Sequence, residues 1–324
     1  MKLKTPERII AHIKSRGQVT ASDLADHLGI SRQAVHRQIN KLQEQGRVYK
    51  VGRAPKVYYL IAEGKVKEDV VTVPKALKKV IDEYFLNITP SGEKQEGFLG
   101  FVDWCKKRKE PLEKTANEYA YTLKKYNAYR KDGLIDGMYK AKSTFSKVAV
   151  DKLFYIDFYS IERFGKTKLG QLLLYAKQSQ NKGLIKELVQ IVRPPIERLV
   201  RKYKVTAVGF IPPTVKREVQ LMRELERQLH LALPKISLVK IKTDVTVPQK
   251  TLNKLDDRIE NAKRTIIVDE KKKFKIVLLI DDALGSGATI NETAKKIRGQ
   301  KLADNIIGLA IAGSFSGFEV ISEV

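Results

Sequence analysis

Residues 275–290 read KIVLLIDDALGSGATI. The run Ile276, Val277, Leu278, Leu279, Ile280 is short, apolar and rich in β-branched residues, the pattern of a strand buried on both faces. It stops at Asp281 and Asp282. Gly285, Ser286 and Gly287 then turn the chain into ATINETAKKIRGQ, which has helical spacing. In an open α/β sheet, ligands bind beyond the carboxyl ends of the strands, where this acidic pair falls. Glycines at 285 and 287 let main-chain amides converge. Ser286 and Thr289 add hydroxyls, and the helix opening near Thr289 presents its positive end, which together suit a monophosphate. The two carboxylates suit the vicinal hydroxyls of a ribose. Asp281, Asp282, Ala283, Leu284, Gly285, Ser286, Gly287, Ala288 and Thr289 are therefore the expected site for a ribose 5-phosphate unit. The lysine of a Walker A loop is missing, and the glycine spacing is not that of a dinucleotide fold.

Working outward, residues 151–324 alternate strand and helix. FYIDFYSI, VTAVGFIPP, KISLVKI, TIIV, FKIVLLID and NIIGLAIAG read as strands, and the segments between them carry helical periodicity. Alternation of this kind predicts an α/β fold with a mainly parallel sheet covered by helices. Before it, residues 63–150 predict a helical connecting region rich in basic and aromatic residues, with the run Lys106 to Lys109 and Tyr119 and Tyr126 the most visible features. The stretch 87–97, NITPSGEKQEG, reads as an exposed loop.

Residues 1–62 form a domain of their own kind. A short amphipathic helix carries Ile9, Ile10 and Ile13. TASDLADHLG follows, with Thr20 and Asp23 as a capping box and Leu24, Ala25 and Leu28 inward. After a three-residue turn, Ser31 caps RQAVHRQINKLQEQG, in which Val35, Ile39 and Leu42 face inward. Helix, tight turn, helix is the layout that sends the second helix into the major groove. Its outward Arg32, Gln33, His36, Arg37 and Lys41 are candidate DNA contacts, since Arg and Gln have the fork geometries that read base edges. RVYKVGRAPKVYYLI then predicts a β-hairpin wing that carries Arg53 and Lys56 to phosphate.

Composition agrees with a polyanionic partner: 62 Lys and Arg oppose 37 Asp and Glu, a net +25, and residues 1–62 alone hold 12 basic and 4 acidic side chains. Cys105 is the single cysteine, which excludes a disulfide framework and a multi-thiolate zinc site and fits a reducing cytoplasm. No run approaches the roughly 18 apolar residues of a membrane span. A soluble, cytoplasmic protein without a membrane partner is expected.

The first 62 residues resemble the winged helix-turn-helix domains of bacterial regulators. The 275–290 stretch resembles the phosphoribosyl pyrophosphate (PRPP) loop of type I phosphoribosyltransferases, with Gly285 and Ser286 where two threonines are usual. Residues 150–324 further resemble the competence-protein ComF group, without its amino-terminal zinc module. The motifs are Lys177 at a helix end, the proline loop Ile211 to Arg217, and Gln249, Leu252, Arg258 and Asn261. The resemblance implies that Asp281 and Asp282 hold the ribose hydroxyls and that Lys216 and Arg217 meet pyrophosphate. It implies that residues 249–261, with Arg258, close over the reaction centre. It also implies that Mg2+ arrives with PRPP and needs no protein metal site.

Two functions follow. A DNA-binding transcriptional regulator would use PRPP or a nucleotide as effector, an architecture similar to PRPP-sensing purine repressors. An active phosphoribosyltransferase would instead be localised or regulated by its DNA-binding domain. A homodimer is expected in either case.

Overall fold

The computed structural model describes residues 4–53, 55–62, 73–213, 215, 217–241 and 254–314. Two compact units divide the chain, residues 1–72 and 73–324.

In the first unit, α1 (Thr5–Arg16), α2 (Ala21–Leu28) and α3 (Arg32–Glu44) precede a hairpin of β1 (Val48–Arg53) and β2 (Lys56–Ile61). Thr20 accepts from the Asp23 amide while the Asp23 carboxylate accepts from the Thr20 amide, so the predicted capping box starts α2. Gly29 ends it in the left-handed conformation that a side chain would strain. Ser31 caps α3 by accepting from the Ala34 amide. Ile9, Ile13, Leu24, Val35, Ile39, Leu42 and Tyr59 close over one another as a separate core. The N-terminal helix-turn-helix with wing strands is therefore as read.

The second unit begins with α4 (Lys75–Tyr84), the hairpin β3 (Leu86–Ile88) and β4 (Lys94–Glu96), α5 (Gly97–Arg108) and α6 (Leu112–Asn127). Next come β5 (Arg130–Lys131), β6 (Leu134–Asp136), α7 (Met138–Thr144), β7 (Lys152–Phe158) and the small hairpin β8 (Ser160–Ile161) and β9 (Gly165–Lys166). The remainder is α8 (Lys168–Ser179), α9 (Lys182–Lys202), β10 (Ala207–Phe210), α10 (Leu221–Leu229), β11 (Leu238–Lys240), α11 (Leu255–Thr265), β12 (Ile266–Val268), β13 (Phe274–Leu284), α12 (Ala288–Gly299) and β14 (Ala303–Gly313). A six-stranded sheet runs in the order β10-β13-β14-β7-β6-β5, parallel through β7 and antiparallel at β6 and β5. Side chains of β13 alternate between two apolar layers: Val277 and Leu279 face one, Leu278 and Ile280 the other. β13 thus lies between β10 and β14, with its apolar run Val277 to Ile280 buried on both faces.

The second compact unit runs across the expected boundary at residue 150. From Val73 onward the chain belongs to the α/β unit, because β6 hydrogen-bonds to β7 and extends the sheet. Ile81, Phe85, Phe101, Trp104 and Tyr119 of α4 to α6 also join the layer that holds Val277 and Leu279. The expected loop 87–97 contains part of β3, all of β4 and the turn between them.

Candidate functional site

The carboxyl end of β13 and the loop after β10 frame a cleft. Asp281, Asp282 and Ala283 line it from the strand, and Gly285, Ser286, Gly287, Ala288 and Thr289 from the turn. Leu284 is the exception within the predicted stretch. It is 1% exposed, lies outside the lining and packs into the core layer, with its methyl groups close to Gly137 and Gly287. Gly287 sits at φ +80° as the N-cap of α12, with no side chain capping that end. The start of α12 lines the cleft at Ala288 and Thr289, and its one side-chain acceptor is the Ser286 hydroxyl, which takes the Ala288 amide at 3.3 Å.

The acidic pair is electrostatically strained. Asp281 accepts from the Asp282 amide at 2.8 Å. Burial, and then the neighbouring Asp282 carboxylate, push the Asp281 carboxyl up to about 7. Asp282 is held by the Lys177 ammonium at 2.5 Å from the end of α8. Lys240, on β11 of the separate β11–β12 ribbon, is pushed below the ordinary lysine range by burial while Asp281 opposes that shift. Arg217 of the proline loop donates to the main-chain carbonyl of Lys177, and Val219 donates to Gln180 at 2.7 Å, so the end of α8 clasps that loop. Arg258, 8% exposed on α11, completes the lining, and its burial lowers its pKa. One cleft therefore joins two carboxylates, a bare helix start and the cations Lys177, Arg217, Lys240 and Arg258, a set matched to a sugar that carries phosphate. With two carboxylates as the acidic donors, one of them engaged by Lys177, a Mg2+ ion would be held mainly by the oxygens of a diphosphate ligand.

Lys216, Gln249 and Leu252 lie outside the described residues. Sequence reading did not single out Lys240 or Gln220 as lining residues. The parity of KISLVKI contained a signal for Lys240, since Val239 and Ile241 are exposed on the opposite face of the ribbon.

Gly287→Ala is expected to weaken ligand binding about tenfold and to destabilise the protein by about 1–2 kcal/mol, because a side chain at φ +80° strains the turn. Calorimetric titration and thermal unfolding of the variant check both effects.

In the first unit, Arg32, Gln33, His36, Arg37 and Lys41 are all exposed on α3, opposite Val35, Ile39 and Leu42. Arg32 donates to the Ser22 hydroxyl at 2.8 Å, which ties the start of the third helix to the second. Lys56 is exposed on the wing, and the side chain of Arg53 lies outside the described residues.

An HTH domain family matches residues 7–61. No curated protein matches the chain closely enough to count as a relative.

Proposed function

We propose that the chain is a DNA-binding regulator whose α/β unit takes PRPP or a nucleotide as effector. The N-terminal helix-turn-helix domain fits a DNA-binding regulator, and among the described residues no helix is long and apolar enough to cross a membrane. The observation that carries the proposal is the cleft at the end of β13. The Asp281–Asp282 pair, the Gly287 turn and four cations converge there, in the same chain as a helix whose outward face is basic and hydrogen-bonding. A diol on the carboxylates and a phosphate on the α12 amides use each group according to its charge. Bound as a homodimer, two third helices would meet two half-sites one helical turn apart.

An effector must bind the DNA-bound and DNA-free forms with different affinity. Titration of Mg-PRPP into the protein, with and without a duplex selected from random sequence, is expected to give affinities that differ by about 5–150-fold. Equal affinities would refute the effector role.

The second reading, an active phosphoribosyltransferase, is favoured by the placement of Lys177, Arg217, Lys240 and Arg258 around the acidic pair, since cations there could take a departing diphosphate. Release of pyrophosphate from Mg-PRPP in the presence of nucleobases or amines would mark that activity.

A further inference from the structure

Residues 1–62 account for +8 of the chain's +25, so most of the excess charge belongs to the rest of the molecule. One corner of the α/β unit concentrates it. α5 ends in Lys106, Lys107, Arg108 and Lys109, all exposed, and exposed Lys114 follows in the first turn of α6. Of the nearby carboxylates, Glu110 at 3.0 Å and Glu118 are taken by Arg163, while Asp103 and Glu113 are exposed beside the run and leave it strongly basic. Among the described residues, no ion pair joins any of the five cations to a carboxylate. Arg108 is held in place, its guanidinium 4.2 Å above the Trp104 ring. Tyr121, 72% exposed, lies seven residues beyond Lys114 and so on the same face of α6. Leu99, 75% exposed, stands in the same relation to Lys106 on α5.

The C-terminal end of a helix favours a cation by about 0.3–1 kcal/mol, which rationalises one or two basic residues in the last turn. Four in succession exceed that, and an anion with repeated charges lying across them would offset the concentration of like charge. We propose that this corner is a second DNA contact, which binds the phosphodiester backbone of the duplex beyond the segment read by α3. Tyr121 would supply a hydroxyl that donates to a backbone phosphate oxygen. Duplex is favoured over other polyanions because the same chain carries the helix-turn-helix domain, so a duplex held by one unit is at high local concentration for the other. The inference rests on the reading of that domain as a duplex binder.

The test compares the full-length chain with K106A/K107A/R108A/K109A, measuring affinity for a selected duplex across a salt series, with Mg-PRPP binding as the control for an intact α/β unit. The variant is expected to bind about 10–100-fold more weakly near physiological salt. Its plot of log K against log salt should flatten by up to about 3.6 units, since each of four phosphate contacts contributes about 0.9. Its order of preference among duplex sequences should not change, because backbone contacts carry no sequence information. Arg37→Ala should do the reverse, relaxing sequence preference while changing the slope by about 1 or less. Unchanged slope and affinity in the quadruple variant, with Arg37→Ala still defective, would overturn the second contact alone. Failure of the wild-type chain to bind any duplex would overturn it together with the reading beneath it. Should the quadruple variant lose Mg-PRPP binding, Lys107→Glu replaces it, with a flattening of at least 1 unit expected and an unchanged slope decisive against.

Discussion

Mg-PRPP affinity is expected to fall by at least two orders of magnitude when Asp281 and Asp282 are both changed to Asn. Each carboxylate would accept a hydroxyl in a charge-assisted hydrogen bond worth about 1.5–3 kcal/mol, and two such bonds convert to roughly 10²–10⁴ in affinity. An amide keeps one acceptor but replaces the other with a donor, which faces the hydroxyl badly. Retained affinity in the double variant would sink the site assignment. The pH dependence carries a sign that separates function from stability. Burial, and then the Asp282 carboxylate, push the Asp281 carboxyl from 3.8 up to about 7. Its contribution to stability is therefore fully present below about pH 4 and is lost as pH rises through 7. The single variant Asp281→Asn removes that loss and should melt at a higher temperature than wild type at pH 8, by on the order of 1–3 kcal/mol in stability. The advantage should shrink towards pH 4. Wild-type affinity for the diol should move the opposite way, strengthening as pH rises through 7 and Asp281 ionises. Thermal unfolding and calorimetry at pH 5 and pH 8 read both trends. A residue that is better for stability when neutral and better for binding when charged is what a ligand site looks like in energetic terms.

How far the sequence disclosed this arrangement varied with the range of the interactions. Local signals were legible because their partners lie within a few residues: the Thr20–Asp23 box, the Ser31 cap and the apolar run that ends at Asp281. β5 and β6 were not. Each has two or three residues, and β6 is a strand only because β7 offers its edge to it, as β6 does in turn to β5. Period-2 alternation cannot show in so short a run. α4 to α6 read correctly as helices, yet which layer they cover depends on Phe85, Phe101 and Trp104 meeting residues such as Phe164 far along the chain. The ion pair between Lys177 and Asp282 joins positions 105 residues apart, and the resemblance to ComF proteins, not periodicity, drew attention to that lysine. The closeness of Arg217 to the Lys177 carbonyl had no signal in the sequence.

Ile39→Ala is expected to abolish DNA binding and to leave the cleft as it was. Ile39 is fully buried at the centre of the small N-terminal core, against residues such as Val35 and Leu42. Truncating a buried isoleucine to alanine costs about 2–5 kcal/mol. A unit of this size holds roughly 3–9 kcal/mol of total stability, so the cavity removes a large part of what keeps it folded. The α/β unit has two apolar layers of its own, neither of which includes any residue of the first core. Loss of one should therefore not propagate to the other. Native-state hydrogen exchange should show the amides of Thr5–Ile61 unprotected in the variant and those of β13 and β14 unchanged. Mg-PRPP should bind the variant with the affinity of the DNA-free wild type, and adding the selected duplex should no longer move that affinity. If ligand binding disappears together with DNA binding, the two units fold as one cooperative block. Any change of ligand affinity on adding DNA would then be inseparable from a change in stability.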